Sequence, residues 1–416
     1  MSIIGGAGQV LSEDEVTTFI GTALDGANLA GRSVCVIVPD ATRSCPLPLL
    51  IRAVHDALHG KVSKLTILIA LGTHAEMTPE ELRKHLGGEY DGVLNHEWWK
   101  PETFVDLGTI SAERVREISN GMLNDEVPVR LNRAVVEHDV ALVVGPVFPH
   151  EVVGFSGGNK YFFPGVAGQE VIDVSHWLGA LITSASIIGT LGVTPVRALI
   201  NEAAALIPAE KLALAVVAQS GTDALHAIAF GDTVEAWQEA AQVSAQTHVT
   251  YLDKPVRRVV SVMPEKYADI WTAAKGFYKL EPVVADGGEV ILYAPHVTRI
   301  AAMHPEIEEI GYHCRDYFLG QWEKFRDVHW GVLAHSTHLR GAGTWDPVTG
   351  EHLRVQVTLA TGIPEDVVRG ANLNYLDPAT VDLAAYDADP DTLVVPNAGE
   401  VLHRLAGSGK TGSHEA

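Results

Sequence analysis

Short runs rich in Val, Ile and Leu recur along the chain, separated by stretches in which apolar residues return every three or four positions. The short runs have the length and β-branched content of buried strands, and the periodic stretches read as amphipathic helices. Strands are predicted at Ser33–Val38, Leu65–Ala70, Val140–Val144, Leu212–Val217, Val259–Val262, Glu289–Tyr293 and Thr392–Val395. The stretch LPLLIRAVHDALHG between the first two has Pro near its start and Gly just past its end, the normal frame of a helix. TPVRALINEAAAL, opened by Pro195, reads as another. Alternating strand and helix define βαβ units, so the fold class is α/β, with mainly parallel sheets flanked by helices.

A chain of 416 residues is too long for one ordinary core, which points to two domains. YLDKPVRR, at Tyr251–Arg258, supplies Pro and charge before a new strand–helix–strand unit begins. The division is therefore set at 1–255 and 256–395, with 396–416 returning to the first domain and ending in a flexible tail. The charge balance, 30 Lys+Arg against 52 Asp+Glu, gives −22 and argues against a phosphate backbone as partner. Three cysteines without a CxxC pair fit a reducing compartment. The N-terminus lacks a signal-peptide pattern, and no apolar run approaches the ~18 residues of a membrane span. The expectation is a cytoplasmic protein without nucleic-acid or membrane partners. Two glycine-rich stretches carry no nucleotide signature: GGAGQVL lacks a preceding strand and a third fingerprint glycine, and GSGKTG has Arg404 where a P-loop needs Gly.

Three of the strands end in polar clusters. The first is followed by Asp40, Thr42 and Arg43, the second by Gly72, Thr73 and His74, and the third by His150 and a glycine-rich loop. In open α/β sheets ligands sit beyond the carboxyl ends of the strands, so these clusters are expected to face one crevice. Taken singly, Asp40 could cap a helix, Arg43 could pair on the surface, and His74 could bond at a helix start. Their shared position at three strand ends favours function. In HEVVGFSGGNKYFFPG, Ser156, Gly157 and Gly158 offer a hydroxyl and bare N–H groups suited to an anion nest. Lys160 follows, able to bind charge or act as an amine nucleophile, and His150 and His176 flank it. These histidines leave a general-base and a metal-ligand role both open. His335 and His338, in HSTH, lack ligand-spaced partners and read as surface or supporting residues.

Together, D-x-T-R-x-x-P, G-T-H-x-x-M-T and H-x-x-x-G-x-S-G-G-x-K-x-x-x-P-G resemble the lactate racemase family dependent on the nickel-pincer nucleotide, and VVPNAGEVLHR is similar as well. The resemblance implies a two-domain enzyme with its active site in the interdomain cleft, the first domain binding cofactor and the second contacting substrate. It implies nickel pyridinium-3,5-bisthiocarboxylic acid mononucleotide, joined covalently to Lys160 and supplied by cofactor-biosynthesis enzymes. His176 then completes the nickel coordination, and His74 and His150 serve as opposed bases, one per enantiomer of a small 2-hydroxy acid. Asp40, Thr42, Ser156, Gly157 and Gly158 fall at the cofactor, and Arg43 and Lys275 are candidates for the substrate carboxylate.

The chain departs from the lactate-type pattern at Trp271-Thr272, where the family has Tyr-Gln. Thr272 is shorter and leaves room, Trp271 supplies a flat wall, and Thr272 and Lys275 share a helical face at i, i+3. Trp345 and HSTHLRG are further candidates for the same wall. The expectation is a racemase or epimerase at C2 of a 2-hydroxy acid larger than lactate, such as a sugar acid. The alternatives are an oxidoreductase that releases a keto acid and a non-catalytic cofactor-binding homologue.

Overall fold

A computed structural model describes residues 1–407. The expected flexible tail and most of GSGKTG lie outside the described residues. The chain divides into two compact units that interleave in sequence. Unit 1 comprises Met1–Phe148, Phe155–Ile172 and Leu191–His248, and unit 2 comprises Pro149–Gly154, Asp173–Thr190 and the described chain from Val249 onward. The sequence reading makes a single cut at 255/256, because apolar periodicity carries no record of segments exchanged between units. Leu402–Leu405 pairs in parallel with Val249–Leu252, and Leu402 lies in unit 2's core. The described part of the C-terminal segment therefore belongs with the second unit rather than returning to the first.

Unit 1 is built on a seven-stranded sheet in the order Ser2–Gly5, Leu225–Asp232, Glu210–Ala218, Val140–Pro146, Ser33–Pro39, Lys64–Ala70, Val93–Asn95. The last five run parallel, and Leu225–Asp232 is antiparallel to both of its neighbours. Every residue of Val140–Pro146 is buried, which explains its unbroken apolar run: a strand covered on both faces needs no alternation. In the helix Leu47–Leu58, Leu50, Ile51, Val54 and Leu58 form a buried stripe, while Arg52 and Asp56 face out. Pro48 sits in its first turn, where the missing N–H costs nothing. Each such buried Val, Leu or Ile contributes about 1.5–3 kcal/mol. From Ser33–Pro39 the sheet grows outward through Lys64–Ala70, and from Val140–Pro146 it grows the other way through Glu210–Ala218. The topological switch point thus lies between Ser33–Pro39 and Val140–Pro146.

Unit 2 holds a five-stranded parallel sheet in the order Asn374–Tyr375, Val355–Thr361, Val284–Ala294, Val256–Val262, Thr392–Val395. A Cβ on Gly276 would stand 2.3 Å from Met263 Sδ and 2.5 Å from Ser261 Oγ. Gly276 therefore lets the short helix Lys275–Tyr278 press against the sheet and seats Lys275.

All seven predicted strands are present, extended by up to six residues. The edge strand Ser2–Gly5 is missed because it is mostly exposed and its residues carry no burial pattern. It does precede GGAGQVL, contrary to the sequence reading, but it is an antiparallel edge and Leu11 stands where the third fingerprint glycine belongs. Among the described residues no helix is long and apolar enough to cross a membrane, and Cys35, Cys45 and Cys314 are free thiols.

Candidate active site

Parallel strands place Asp40 at the end of Ser33–Pro39 and His74 just past the end of Lys64–Ala70, on adjacent loops. The two side chains meet: His74 Nδ1 lies 2.5 Å from Asp40 Oδ2. Asp40 Oδ1 accepts the Thr42 hydroxyl at 2.7 Å and the Thr42 N–H at 3.1 Å. Burial alone would raise the Asp40 carboxyl, but the His74 charge, the His74 hydrogen bond and the two Thr42 donors outweigh it. The carboxyl is held well below the usual carboxylate range. An ionised Asp40 accepts a hydrogen bond from Nδ1–H, which leaves Nε2 of a neutral His74 with the lone pair. Asp40 and His74 therefore form an oriented base. Asp40 does not cap the following helix, whose N-cap is Pro46 with no side-chain bond.

The turn bearing Lys160 is fastened to the same strand ends. Gly72 N–H donates to Gly165 O at 2.9 Å. A Cβ on Gly145 would meet Tyr161 Oη at 1.9 Å, so this glycine lets the Lys160–Tyr161 turn lie against Val140–Pro146. Burial, with the Cys45 thiol next, pushes the Tyr161 hydroxyl well up; Arg43 opposes and Asp40 adds to it. Tyr161 thus stands among the residues of the first strand end. Lys160 itself is half-buried in the short turn Gly158–Tyr161.

Beneath that turn lies a residue the sequence reading overlooks. Arg197 is 1% exposed, and its guanidinium sits 4.1 Å from the centre of the Trp237 ring. It donates to Gly157 O at 2.9 Å and to Phe155 O, and burial pulls its pKa down to about 9. Arg197 lies among the apolar residues of the helix Pro195–Ala205, and a charge inside an apolar stripe is the signal that could have marked it. Gly157 and Gly158 have φ of 89° and 58°, and a Cβ on Gly158 would meet Thr233 O and Trp237 Cβ at 2.9 Å. The Ser156 hydroxyl accepts the Phe148 N–H at 2.9 Å and lies 3.4 Å from Pro146 O. It closes the loop on itself, so the anion nest expected at Ser156–Gly158 has only backbone groups to offer.

Unit 2 carries a second group. His150 is 5% exposed; its Nδ1 accepts the Val152 N–H at 3.1 Å and lies 3.3 Å from Glu151 Oε2. A backbone donor to Nδ1 places the neutral ring's proton on Nε2, the reverse of His74. Burial would raise the Glu151 carboxyl, but the charges of Lys275, Lys279 and His338 hold it low. Lys279 donates to Pro149 O at 2.6 Å and to Glu400 O at 3.2 Å, gripping the backbone just before His150. Lys279 is absent from the sequence reading, although Lys275 and Lys279 are the only charges between Ile270 and Leu280.

Lys275 is buried and donates to Thr272 O at 3.4 Å. Thr272 and Lys275 fall in two consecutive short helices, and the Thr272 hydroxyl donates to Asp269 Oδ1 at 2.8 Å. Trp271 does not present two bare faces. It stacks on His304 at 4.0 Å and on His335 at 3.9 Å. His338 is buried and His335 partly buried, and burial, then neighbouring positive groups including His338, His304 and Lys275, pushes His335 well down. Burial takes His338 to about 4, with Glu151 opposing. His176, half-buried on the helix Gln169–Ile182, has Nδ1 3.5 Å from Ser175 Oγ. Trp345 stacks edge-on with Tyr317 at 5.8 Å. Among the described residues no group of three or more His, Cys, Asp or Glu is arranged to hold a metal.

The fold and these strand-end clusters define an α/β protein with a lactate racemase type N-terminal region: residues 19–189 match the family "Lactate racemase N-terminal domain". A crystal structure of a Thermotoga maritima protein superposes with TM-score 0.89 and 35% identity, over 96% of this chain and 100% of that one. The chain belongs to one family with that protein. It is also 28% identical over 272 residues to a lactate racemase of Thermoanaerobacterium thermosaccharolyticum, a match covering 63% of this chain. The match spans 60% of that relative's length. The lactate racemase apoprotein structure from the same organism shares the fold, with TM-score 0.70 at 20% identity over 94% of this chain and 93% of that one.

Proposed function

We propose that this chain is a cytoplasmic racemase or epimerase acting at C2 of a 2-hydroxy acid with the nickel-pincer nucleotide. The observation that carries the reading is the Asp40–His74 pair at the ends of Ser33–Pro39 and Lys64–Ala70, next to the switch point, a base whose tautomer is fixed by a buried carboxylate. Imidazole cannot remove the weakly acidic C2 hydrogen, but it can take a hydroxyl proton as hydride leaves C2. The bound cofactor supplies the hydride acceptor and donor. Lys160 would tether it, Thr42 and the backbone of Ser156–Gly158 would line it, and His176 would bind its nickel. A pincer brings three of the metal's donors itself, so the protein needs to add only one imidazole, and His176 offers one on a rigid helix.

His74 takes the hydroxyl proton of one enantiomer at Nε2, and His150 serves the other once the Val152 N–H bond is released and its lone pair passes to Nε2. Arg43 and the buried ammonium of Lys275 hold the substrate carboxylate. Asp40 orients His74, while Val152 N–H and Lys279 hold His150 and its backbone. Thr272 is short and tied back to Asp269, and His304 and His335 frame Trp271 with polar ring edges. This wall suits a substrate larger than lactate and rich in hydroxyls, such as an aldonate. Holoenzyme assayed for C2 exchange across a panel is expected to show kcat/KM for an aldonate at least about tenfold above lactate, or ~1.4 kcal/mol of transition-state preference. Faster racemisation of lactate would sink the substrate assignment.

A further inference from the structure

We infer that Arg197, backed by Trp237, is a positioning residue that turns two backbone N–H groups of the loop before Lys160 toward the phosphate of the bound nucleotide. The identity of that ligand rests on the racemase reading above, while every residue of the device belongs to unit 1. Arg197 and Asn201 stand one turn apart on the helix Pro195–Ala205, and Thr233 and Trp237 one turn apart on the helix Thr233–Thr247. Together these helices take each carbonyl from Phe155 to Gly157. Arg197 donates to Phe155 O and, at 2.9 Å, to Gly157 O, and Trp237 Nε1 donates to Ser156 O at 2.9 Å. The Thr233 hydroxyl donates to Asn159 Oδ1 at 2.6 Å, and Asn159 Nδ2 donates to Asn201 Oδ1 at 3.0 Å, which fixes the far end of the turn.

In a trans peptide the C=O of one residue and the N–H of the next point in opposite directions. Holding Ser156 O and Gly157 O toward the helices therefore aims the N–H groups of Gly157 and Gly158 away from them. The flanking N–H groups are used within the chain, Ser156 on Phe148 O at 2.8 Å and Lys160 on Gly157 O at 3.3 Å. Those of Gly157 and Gly158 meet no acceptor among the described residues, although both glycines are buried. Buried backbone donors are almost always paired, so two in succession call for oxygens from a ligand. The inner side of the turn is closed to one: a Cβ on Gly157 would stand 2.7 Å from Val147 Cγ2.

The charge of Arg197 points to an anion. A neutral amide can satisfy a backbone carbonyl, whereas a guanidinium that is 1% exposed carries the cost of a buried charge. Burial alone pulls its pKa down to about 9, with no carboxylate pairing with it among the described residues, so it stays protonated at neutral pH. An anion on the outer side of the turn supplies the missing counter-charge. In a pyridinium mononucleotide the phosphate carries the most charge and the most acceptor oxygens, and it suits two N–H donors backed by a cation.

The test titrates full-length apoprotein of the parent, Arg197→Gln and Trp237→Phe by calorimetry at neutral pH. The probes are nicotinate mononucleotide and nicotinate riboside, which lacks only the phosphate, so the ratio of their Kd values isolates the phosphate. The parent is expected to favour the mononucleotide by about 10–100-fold, the worth of one or two charge-assisted hydrogen bonds. Lys160 is present in every protein, so a change in the ratio belongs to the residue replaced. Arg197→Gln keeps a donor for one carbonyl and loses the charge; its ratio is expected to fall below about threefold while riboside binding stays within about twofold of the parent. Trp237→Phe removes one carbonyl anchor and keeps a ring under the guanidinium. It is expected to give a shallower fall in the ratio, and it carries the test if the thermal midpoint shows that Arg197→Gln does not fold. A parental ratio near one, an unchanged ratio in the folded variants, or equal weakening of both probes would overturn the inference and leave Arg197 a staple of the loop. Intact mass after co-expression with the cofactor-making enzymes reads the other question. A parent without an adduct on Lys160 refutes the nickel-pincer reading, whatever the ratios show.

Discussion

Replacing His74 with Gln is expected to lower kcat for racemisation by about 10²–10⁴-fold, the range that positioned acid–base catalysis supplies. The fold is expected to survive, because the side chain is 27% exposed and lies in a loop beyond the strand. Asp40→Asn is expected to give a smaller loss in the same step. An amide at this position can donate to Nδ1 and favour the wrong tautomer, withdrawing the Nε2 lone pair. The pH dependence of stability separates this role from simple packing. The folded-state pKa of Asp40 is depressed. The stability it contributes is therefore fully present above its unfolded value of about 3.9 and is lost as pH falls below that toward the folded value. Urea titrations of parent and Asp40→Asn are expected to show a gap in midpoint at neutral pH that narrows on acidification below about pH 4. A gap independent of pH would mean that the carboxylate is not what holds His74.

Lys160→Ala and Lys160→Arg are both expected to abolish the covalent adduct and reduce racemisation to the uncatalysed level. The pairing is informative because Arg keeps the charge but remains protonated and cannot act as an amine nucleophile. If Lys160 merely bound a phosphate by charge, Lys160→Arg would retain cofactor and much of the rate. The turn should stay folded in both variants, since Arg197 fixes the carbonyls of Phe155 and Gly157 from below and Gly72 ties down Gly165. Intact-mass spectra of protein co-expressed with the cofactor-making enzymes read the adduct directly.

Much of the first unit was legible because its chemistry follows its strands. Asp40, Thr42, His74 and the Lys160 loop sit within a few residues of apolar runs whose ends a sequence reader can locate, and parallel pairing then brings those ends together. The pairing within the cluster was not legible. Whether Asp40 faces a cofactor or His74 depends on side-chain directions in two loops that are 34 residues apart. The second unit was harder to read. His150, His176 and Lys275 reach it from three separate segments of the chain, so a contiguous division at 255/256 hides their shared home. Arg197 and Lys279 went unrecognised for one reason: each is a buried cation that donates to backbone carbonyls, and no sequence spacing records such a partner. Trp271 is expected to supply a flat wall, and the stacking of His304 and His335 on it is a long-range contact that no sequence spacing records.

The central claim is that configuration at C2 is exchanged by hydride, with Asp40–His74 and His150 moving only hydroxyl protons. It is tested most directly by giving holoenzyme one enantiomer of a 2-hydroxy acid carrying deuterium at C2, in ordinary water, and following both enantiomers by NMR. The account predicts that the opposite enantiomer appears with deuterium still at C2 and without net keto acid. Replacement of the label by solvent hydrogen during inversion, or keto acid accumulating in place of the opposite enantiomer, would contradict it.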